Sequence, residues 1–312
     1  MSWVIDGAKA LYASTTAVAQ SHVRWGRNIY EDDWDLLVIL DACRVDALQE
    51  VQDEYDFIEE IETRWSRGST SKEWMENTFV EQYRDEVELT AYVTPNPFSS
   101  HLKDTVGKRV AYTWTEDTRF ENSKFLSGLV RGDLLTADDF GEFVDLWGMV
   151  DDDDISQLHP EKVTDCAIRT GRRTDCERQI VHYMQPHRPY LATSEDVPWK
   201  ERPFGYLRDG GDFDNVWTAY VDNLRLVLDY VETLLENVDA ETVVITSDHG
   251  ELFGEWGLYS HEVGFPHPAI RKVPWTETSA TDTGNYEPEP VRSETEASDE
   301  ELEDRLEALG YR

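Results

Sequence analysis

Four short apolar runs do most to limit what this chain can fold into. Leu36 to Leu40, Leu89 to Thr94, Gln179 to Met184 and Thr242 to Thr246 are five or six residues long, rich in β-branched or aromatic residues, and each stops at a polar residue or a proline. Runs of this kind fit strands covered on both faces of a parallel sheet. Between them, Val45 to Asp53, Ser71 to Arg84, Pro160 to Arg173 and Asp214 to Asn237 read as helices. The last keeps an apolar face through Val216, Tyr220, Leu224, Val227 and Val231. Strands alternating with helices predict an α/β fold, a doubly wound and mostly parallel sheet with helices on both faces.

The remainder reads differently. Lys103 to Asp154 mixes polar and aromatic residues around the run Asp151 to Asp154, which lacks the ligand spacing and turn glycine of a calcium loop and reads as solvated loop. Residues 1–30 read as an amphipathic helix packed on a domain spanning 1–275. From Thr276 onward twelve acidic residues face three basic ones, so 276–297 reads as a flexible acidic linker and 298–312 as a short terminal helix with acids in its first turn.

Charge narrows the partners. Sixty-five acidic against 29 basic residues leave a formal net charge of −36, the opposite of the basic footprint that phosphate-backbone binding needs, so nucleic acid is excluded as the expected partner. Such a surface repels itself until salt screens it, at a Debye length of ~3 Å in molar salt, which points to a halophilic host. Three cysteines without a Cys-x-x-Cys spacing fit neither a disulfide framework nor a zinc site, and a cytoplasmic location is expected. No stretch approaches the roughly 18 apolar residues of an integral membrane segment.

Open parallel sheets place their sites outside the carboxyl ends of the strands. There the chain offers Asp41 after the first run, Gln185 to Tyr190 with His187 after the third, and Asp248-His249-Gly250-Glu251 after the fourth. Five of its eight histidines, His182, His187, His249, His261 and His267, fall between 182 and 267. Carboxylates and imidazoles converging on one crevice suit a divalent ion. Trp65 to Trp74 adds a glycine and a run of hydroxyls leading into a helix, where a hydroxyl would meet the positive end of the helix dipole. Each feature has an ordinary reading as well, Asp-His-Gly as a turn and Ser69, Thr70 or Ser71 as a helix cap.

Taken in order, LLVILDACRVDAL, the hydroxyl cluster, MQPHRPY and VVITSDHGELFGEWGLYSHEVGFPHPAIRKVPW resemble the alkaline phosphatase superfamily in its sulfatase-like branch, and the closing LEDRLEALGY is similar to the tail of archaeal members. The resemblance runs from about Trp34 to Trp275. It implies a metal site of Asp41, Asp248 and His249 together with the nucleophile, a substrate- or metal-facing His187, and a role for His261 at a second metal or the leaving group. The Cys-x-Pro-Ser-Arg segment of formylglycine sulfatases is absent. Gly68-Ser69-Thr70-Ser71 instead resembles the Gly-x-Thr-Ser segment of lipoteichoic acid synthases, which ranks Thr70 first as nucleophile and metal ligand, Ser71 second and Ser69 third. Asp41 is followed by Ala42 where classical sulfatases carry a second aspartate, which favours a transition metal over calcium.

These implications sum to a hydrolase of phosphate or sulfate esters, with one or two divalent ions (manganese, zinc, calcium or magnesium) and a small anionic ester or glycan-linked substrate. Arg44, Arg67 and Arg188 are candidate anion clamps. Phosphoglycerol- or phosphoethanolamine-type transfer to a surface glycan, and a degenerate member that binds without turnover, are the alternatives. The oligomeric state is left open.

Overall fold

The computed structural model describes residues 25–104, 134–147, 159–194 and 196–290. The expected N-terminal helix, most of the 103–154 loop and the 298–312 helix lie largely or wholly outside these residues.

Leu36–Leu40 forms β1, buried along its whole length. Both of its faces are used. Leu36, Val38 and Leu40 join one core with Val45–Val51 (α1), Pro160–Arg173 (α3) and Phe213–Leu235 (α4), while Leu37 and Ile39 join a second with Trp74, Met75 and Phe79. This period-2 division recurs at Val181 against Ile180, Val93 against Tyr92, and Val243 against Val244. Each such side chain stabilises the fold by about 1.5–3 kcal/mol through burial, so the uninterrupted apolar runs are what a sheet covered on both sides requires.

The sheet has seven strands, in the order Glu62–Trp65 (β2), Lys272–Ala280 (β9), Ala240–Thr246 (β6), β1, Arg178–Tyr183 (β5), Thr90–Thr94 (β3) and Glu142–Asp145 (β4). β3, β4, β5 and β6 form a parallel block with β1, whereas at one side β9 runs antiparallel to β6, and β2 antiparallel to β9 and so in the direction of the block. A small hairpin of Leu252–Phe253 (β7) and Tyr259–Ser260 (β8) stands apart. The result is α/β, mostly parallel, with helices on both faces.

Two expectations are corrected. The domain boundary after Trp275 falls inside β9, which continues to Ala280 in register with β6. Its threonines hide a strand alternation in which Thr276 and Ala280 are buried while Glu277 and Ser279 are exposed. Beyond it the acidic segment packs back, Asp282 pairing with Arg172 at 2.7 Å. The helix expected over Ser71 to Arg84 is shorter, Ser71–Thr78 (α2). No glycine or proline stops it. Phe79 leaves the helix to sit fully buried against Trp74, Tyr92 and Phe140, and its carbonyl accepts from Leu135 N at 3.0 Å.

Candidate metal and active site

Three adjacent strand ends build the site. Asp41 follows β1, and its backbone N–H donates to Tyr183 O at the end of β5 (3.0 Å) while its carbonyl accepts from His187 N (3.1 Å). Ala42 then turns with φ 60°, a left-handed conformation that costs a non-glycine residue roughly 1–2 kcal/mol. This turn brings Ala42 N to Asp248 Oδ1 (3.2 Å) and Cys43 N to Ser247 Oγ (2.9 Å), locking the ends of β1 and β6 together. Gly250 is needed where it stands, because a Cβ there would lie 2.0 Å from Ala269 O.

Asp41 and Asp248 are both fully buried. Among the described residues the basic groups within salt-bridge distance are two imidazoles: His182 Nε2, 3.6 Å from Asp248 Oδ2 and 3.9 Å from Asp41 Oδ2, and His249 Nε2, 3.5 Å from Asp248 Oδ2 and 3.6 Å from Asp41 Oδ1. Asp41 Oδ1, Asp248 Oδ2 and His182 Nε2 have no hydrogen-bond partner there. His249 Nδ1 donates to Gly250 O at 2.9 Å, which fixes its tautomer and leaves the Nε2 lone pair facing the carboxylates.

The titration of these groups follows from burial. Burial and the neighbouring charge of Asp248 push Asp41 well above the usual carboxylate range. Burial acts on Asp248 in the same sense, but His249 and His182 beside it hold it below that range. Burial lowers His249 and His187 toward the neutral form, and the charge of His261 adds to this. Two like charges sharing one buried site cannot both ionise cheaply. A divalent cation removes the conflict: Asp41, Asp248 and His182 offer ligand atoms within 4.8 Å of one another, with His249 Nε2 3.5 Å from Asp248, and mixed oxygen and nitrogen donors suit zinc or manganese more than calcium or magnesium.

The hydroxyl cluster meets this set at the start of α2. Ser71 Oγ lies 3.1 Å from Asp41 Oδ2 and 3.3 Å from His249 Nε2. Thr70 is the helix N-cap, its hydroxyl accepting from Glu73 N at 3.2 Å, and Ser69 Oγ lies 2.9 Å from Glu262 O. Gly68 permits the turn, since a Cβ would meet Trp74 N at 2.4 Å. Asn96, just after β3, donates to Asp41 Oδ2 at 2.9 Å.

A second cluster adjoins the first. Ligand atoms of His187, Glu251 and His261 lie within 4.8 Å of one another, with His261 Nδ1 3.1 Å from Glu251 Oε1. The ring of His261 is centred 4.4 Å from His249 and 5.3 Å from His187. His187 Nδ1 donates to Arg188 O at 2.7 Å, which leaves Nε2 as its lone-pair nitrogen.

Of the residues singled out from sequence, Asp41, Ser71, Asp248 and His249 therefore meet directly, and His187 and His261 stand beside them. Thr70 and Ser69 are engaged in holding the turn. Arg44 is tied to Asp46 and Glu255, each at 2.6 Å, and to Glu251 O, with its guanidinium 5.2 Å from the Trp217 ring centre. Arg67 pairs with Glu31 at 2.9 Å, and Arg188 lies over Phe204. Asn96 was not singled out from sequence, and His182 was counted among the clustered histidines without a role of its own. His182 carried a signal as the one imidazole inside an apolar strand, and Asn96 as the polar residue at a strand end, between Pro95 and Pro97.

No family model matches the sequence, and no curated protein matches it. Solved structures similar to it include the soluble domain of lipooligosaccharide phosphoethanolamine transferase A from Neisseria meningitidis (14% identity, 88% of this chain and 86% of that one, TM-score 0.47). Others are a 2-O GAG sulfatase (11%, 88% and 70%, 0.45) and the lipoteichoic acid synthase LtaP from Listeria monocytogenes (12%, 84% and 71%, 0.40). These are proteins of the alkaline phosphatase superfamily, the group whose motifs the sequence resembles. Among the described residues no helix is long and apolar enough to cross a membrane.

Proposed function

We propose that the chain is a metal-dependent hydrolase of phosphate or sulfate esters in which Ser71 is the nucleophile. The observation that carries the reading is the position of Ser71 Oγ, at the first residue of a helix and within 3.3 Å of both Asp41 and His249 in a buried cluster fit for a divalent cation. When bound, the cation supplies Lewis-acid stabilisation of an oxyanion and lowers the pKa of a neighbouring hydroxyl.

The remaining steps belong to the chain. Asp41, held in place by Asn96, accepts the Ser71 proton, and the α2 dipole favours the anionic ester at its amino end. Ser71 Oγ attacks phosphorus or sulfur, the bond to the ester oxygen breaks, and the departing oxygen takes a proton from His261, which is paired through Nδ1 with Glu251, while neutral His187 orients the ester. Water then releases the seryl ester. Among the candidate clamps, Arg188 is retained as an anion contact, while Arg44 and Arg67 serve to hold loops.

The test is a panel of chromogenic phosphate monoesters, diesters and sulfate esters in molar salt with manganese or zinc. Ser71→Ala is expected to lose at least about a thousandfold in turnover. Thr70→Ala is expected to lose mainly a helix cap, about 0.5–2 kcal/mol of stability. Turnover retained in Ser71→Ala and lost in Thr70→Ala would move the nucleophile to Thr70. Addition of glycerol reads out whether an alcohol competes with water for the seryl ester.

A further inference from the structure

Glu73 occupies the third position of α2, where the glutamate of a capping box turns back to the N-cap backbone N–H. Here it reaches further. Its Oε2 accepts from Ser69 N at 2.9 Å and from Gly264 N at 3.1 Å, and lies within hydrogen-bond distance of Ser69 Oγ. Its Oε1 accepts from Arg271 Nη2 at 2.7 Å. The carboxylate is fully buried, and one side chain thus joins the Ser71 turn, the loop after His261 and the start of β9.

Arg271 sits where the same segments converge. Its carbonyl accepts from Ser66 N at 2.7 Å, and that of its neighbour Ile270 accepts from Gly250 N at 2.7 Å. Arg271 is 1% exposed, Glu73 is the carboxylate in salt-bridge distance among the described residues, and Nε and Nη1 find no acceptor there. Together Glu73 and the Ile270–Arg271 backbone therefore span the nucleophile turn, the Asp248–Gly250 turn and the His261 loop, the first of which lies nearly two hundred residues from the others. Ser69 completes the link, its hydroxyl having one proton to share between Glu73 and Glu262 O, next to His261.

We propose that Glu73 and Arg271 are a positioning pair that holds Ser71 and His261 in fixed relation to each other. The proposal rests on the reading of Ser71 and His261 as the groups that act on the ester. A buried ion pair is weak evidence of stabilisation, because well-packed apolar residues often replace one without loss. Geometry between two acting groups is a different matter, since a displacement of about 1 Å costs about a hundredfold in rate.

That difference supplies the test. Glu73→Gln and Arg271→Met each leave one buried charge and are expected to lower the unfolding temperature. The double variant Glu73→Leu/Arg271→Met removes both charges and is expected to recover most of it. If the pair positions the site, the double variant recovers stability without function. Its kcat stays about a hundredfold down with KM little changed, and hydrogen exchange in the metal-free protein rises in residues 66–72 and 261–266 together, with the β1 and β6 strands unaffected. A double variant with wild-type kcat and wild-type exchange in both segments overturns the proposal. Exchange is measured without metal or substrate, so it decides the coupling even if wild-type protein turns over none of the esters, an outcome that would sink the assignment of the reaction instead.

Discussion

The two ends of the central strands carry the same residue types and use them in opposite ways. At the amino ends, Asp35 Oδ2 accepts from Thr242 N (2.8 Å), Asp239 Oδ1 from Asp282 N (2.9 Å), and Asp282 pairs with Arg172, around an open cavity of about 320 Å³. Every one of these carboxylates has a donor. At the carboxyl ends, Asp41 and Asp248 are sealed from solvent with two imidazoles for company and an oxygen each without a donor. The first arrangement closes turns. The second is stable only with a proton or a cation added, and that asymmetry, more than the resemblance, marks the functional end of the sheet.

The largest expected effect breaks the comparison directly. Asp248→Asn and Asp41→Asn are expected to abolish tight binding of manganese or zinc and to cut ester turnover by about a thousandfold or more, whereas Asp35→Asn and Asp282→Asn leave turnover as it is. Metal titration calorimetry and steady-state kinetics on the four variants decide it. Equal losses at both ends would mean that the carboxyl end holds no special site.

Next in size is stability. Arg271→Met leaves the Glu73 carboxylate buried without its counter-charge, and urea unfolding is expected to show a loss of about 3–5 kcal/mol. A loss under about 1 kcal/mol would mean that the backbone donors Ser69 N and Gly264 N suffice for it.

A third effect concerns protons. Asp41 lies above the ordinary carboxylate range in the metal-free protein, so below its raised pKa it carries a proton that a cation must displace. Cation binding is expected to release up to one proton there, and the release fades as pH rises through that raised value. Calorimetry on the wild-type protein in buffers of different ionisation enthalpy, repeated across pH, measures it. Proton uptake on binding would contradict the sign.

The smallest effect is also the most general. With a formal net charge of −36, the unfolding temperature is expected to rise as monovalent salt is raised toward molar concentrations. A fall over that range would show that the surface carboxylates are not what salt acts on.

Four strands of the parallel block, β1, β3, β5 and β6, were legible because burial on both faces gives each a short apolar stretch, Leu36 to Leu40, Ala91 to Val93, Ile180 to Val181 and Val243 to Ile245. The antiparallel edge was not. β2 is Glu-Thr-Arg-Trp with three exposed residues, β4 lies at the other edge with its first two residues half-buried, and the threonines of β9 read as linker. At the site, residues marked by a strand end were found: Asp41, His187, Asp248 and His249. The choice among Ser69, Thr70 and Ser71 was beyond sequence, since all three are hydroxyls at one helix start and only the rotation of the first turn separates cap from site. Glu73 and Arg271 carried no usable signal, because their partners lie up to 198 residues away.

Acid-quenched protein taken during turnover of a phosphate ester and mapped by fragment-ion mass spectrometry gives the most direct test of Ser71 as the acting group. The account predicts a phosphoryl adduct on Ser71 that disappears in Ser71→Ala together with turnover. An adduct on Thr70 or Ser69, or undiminished turnover in Ser71→Ala, would contradict it.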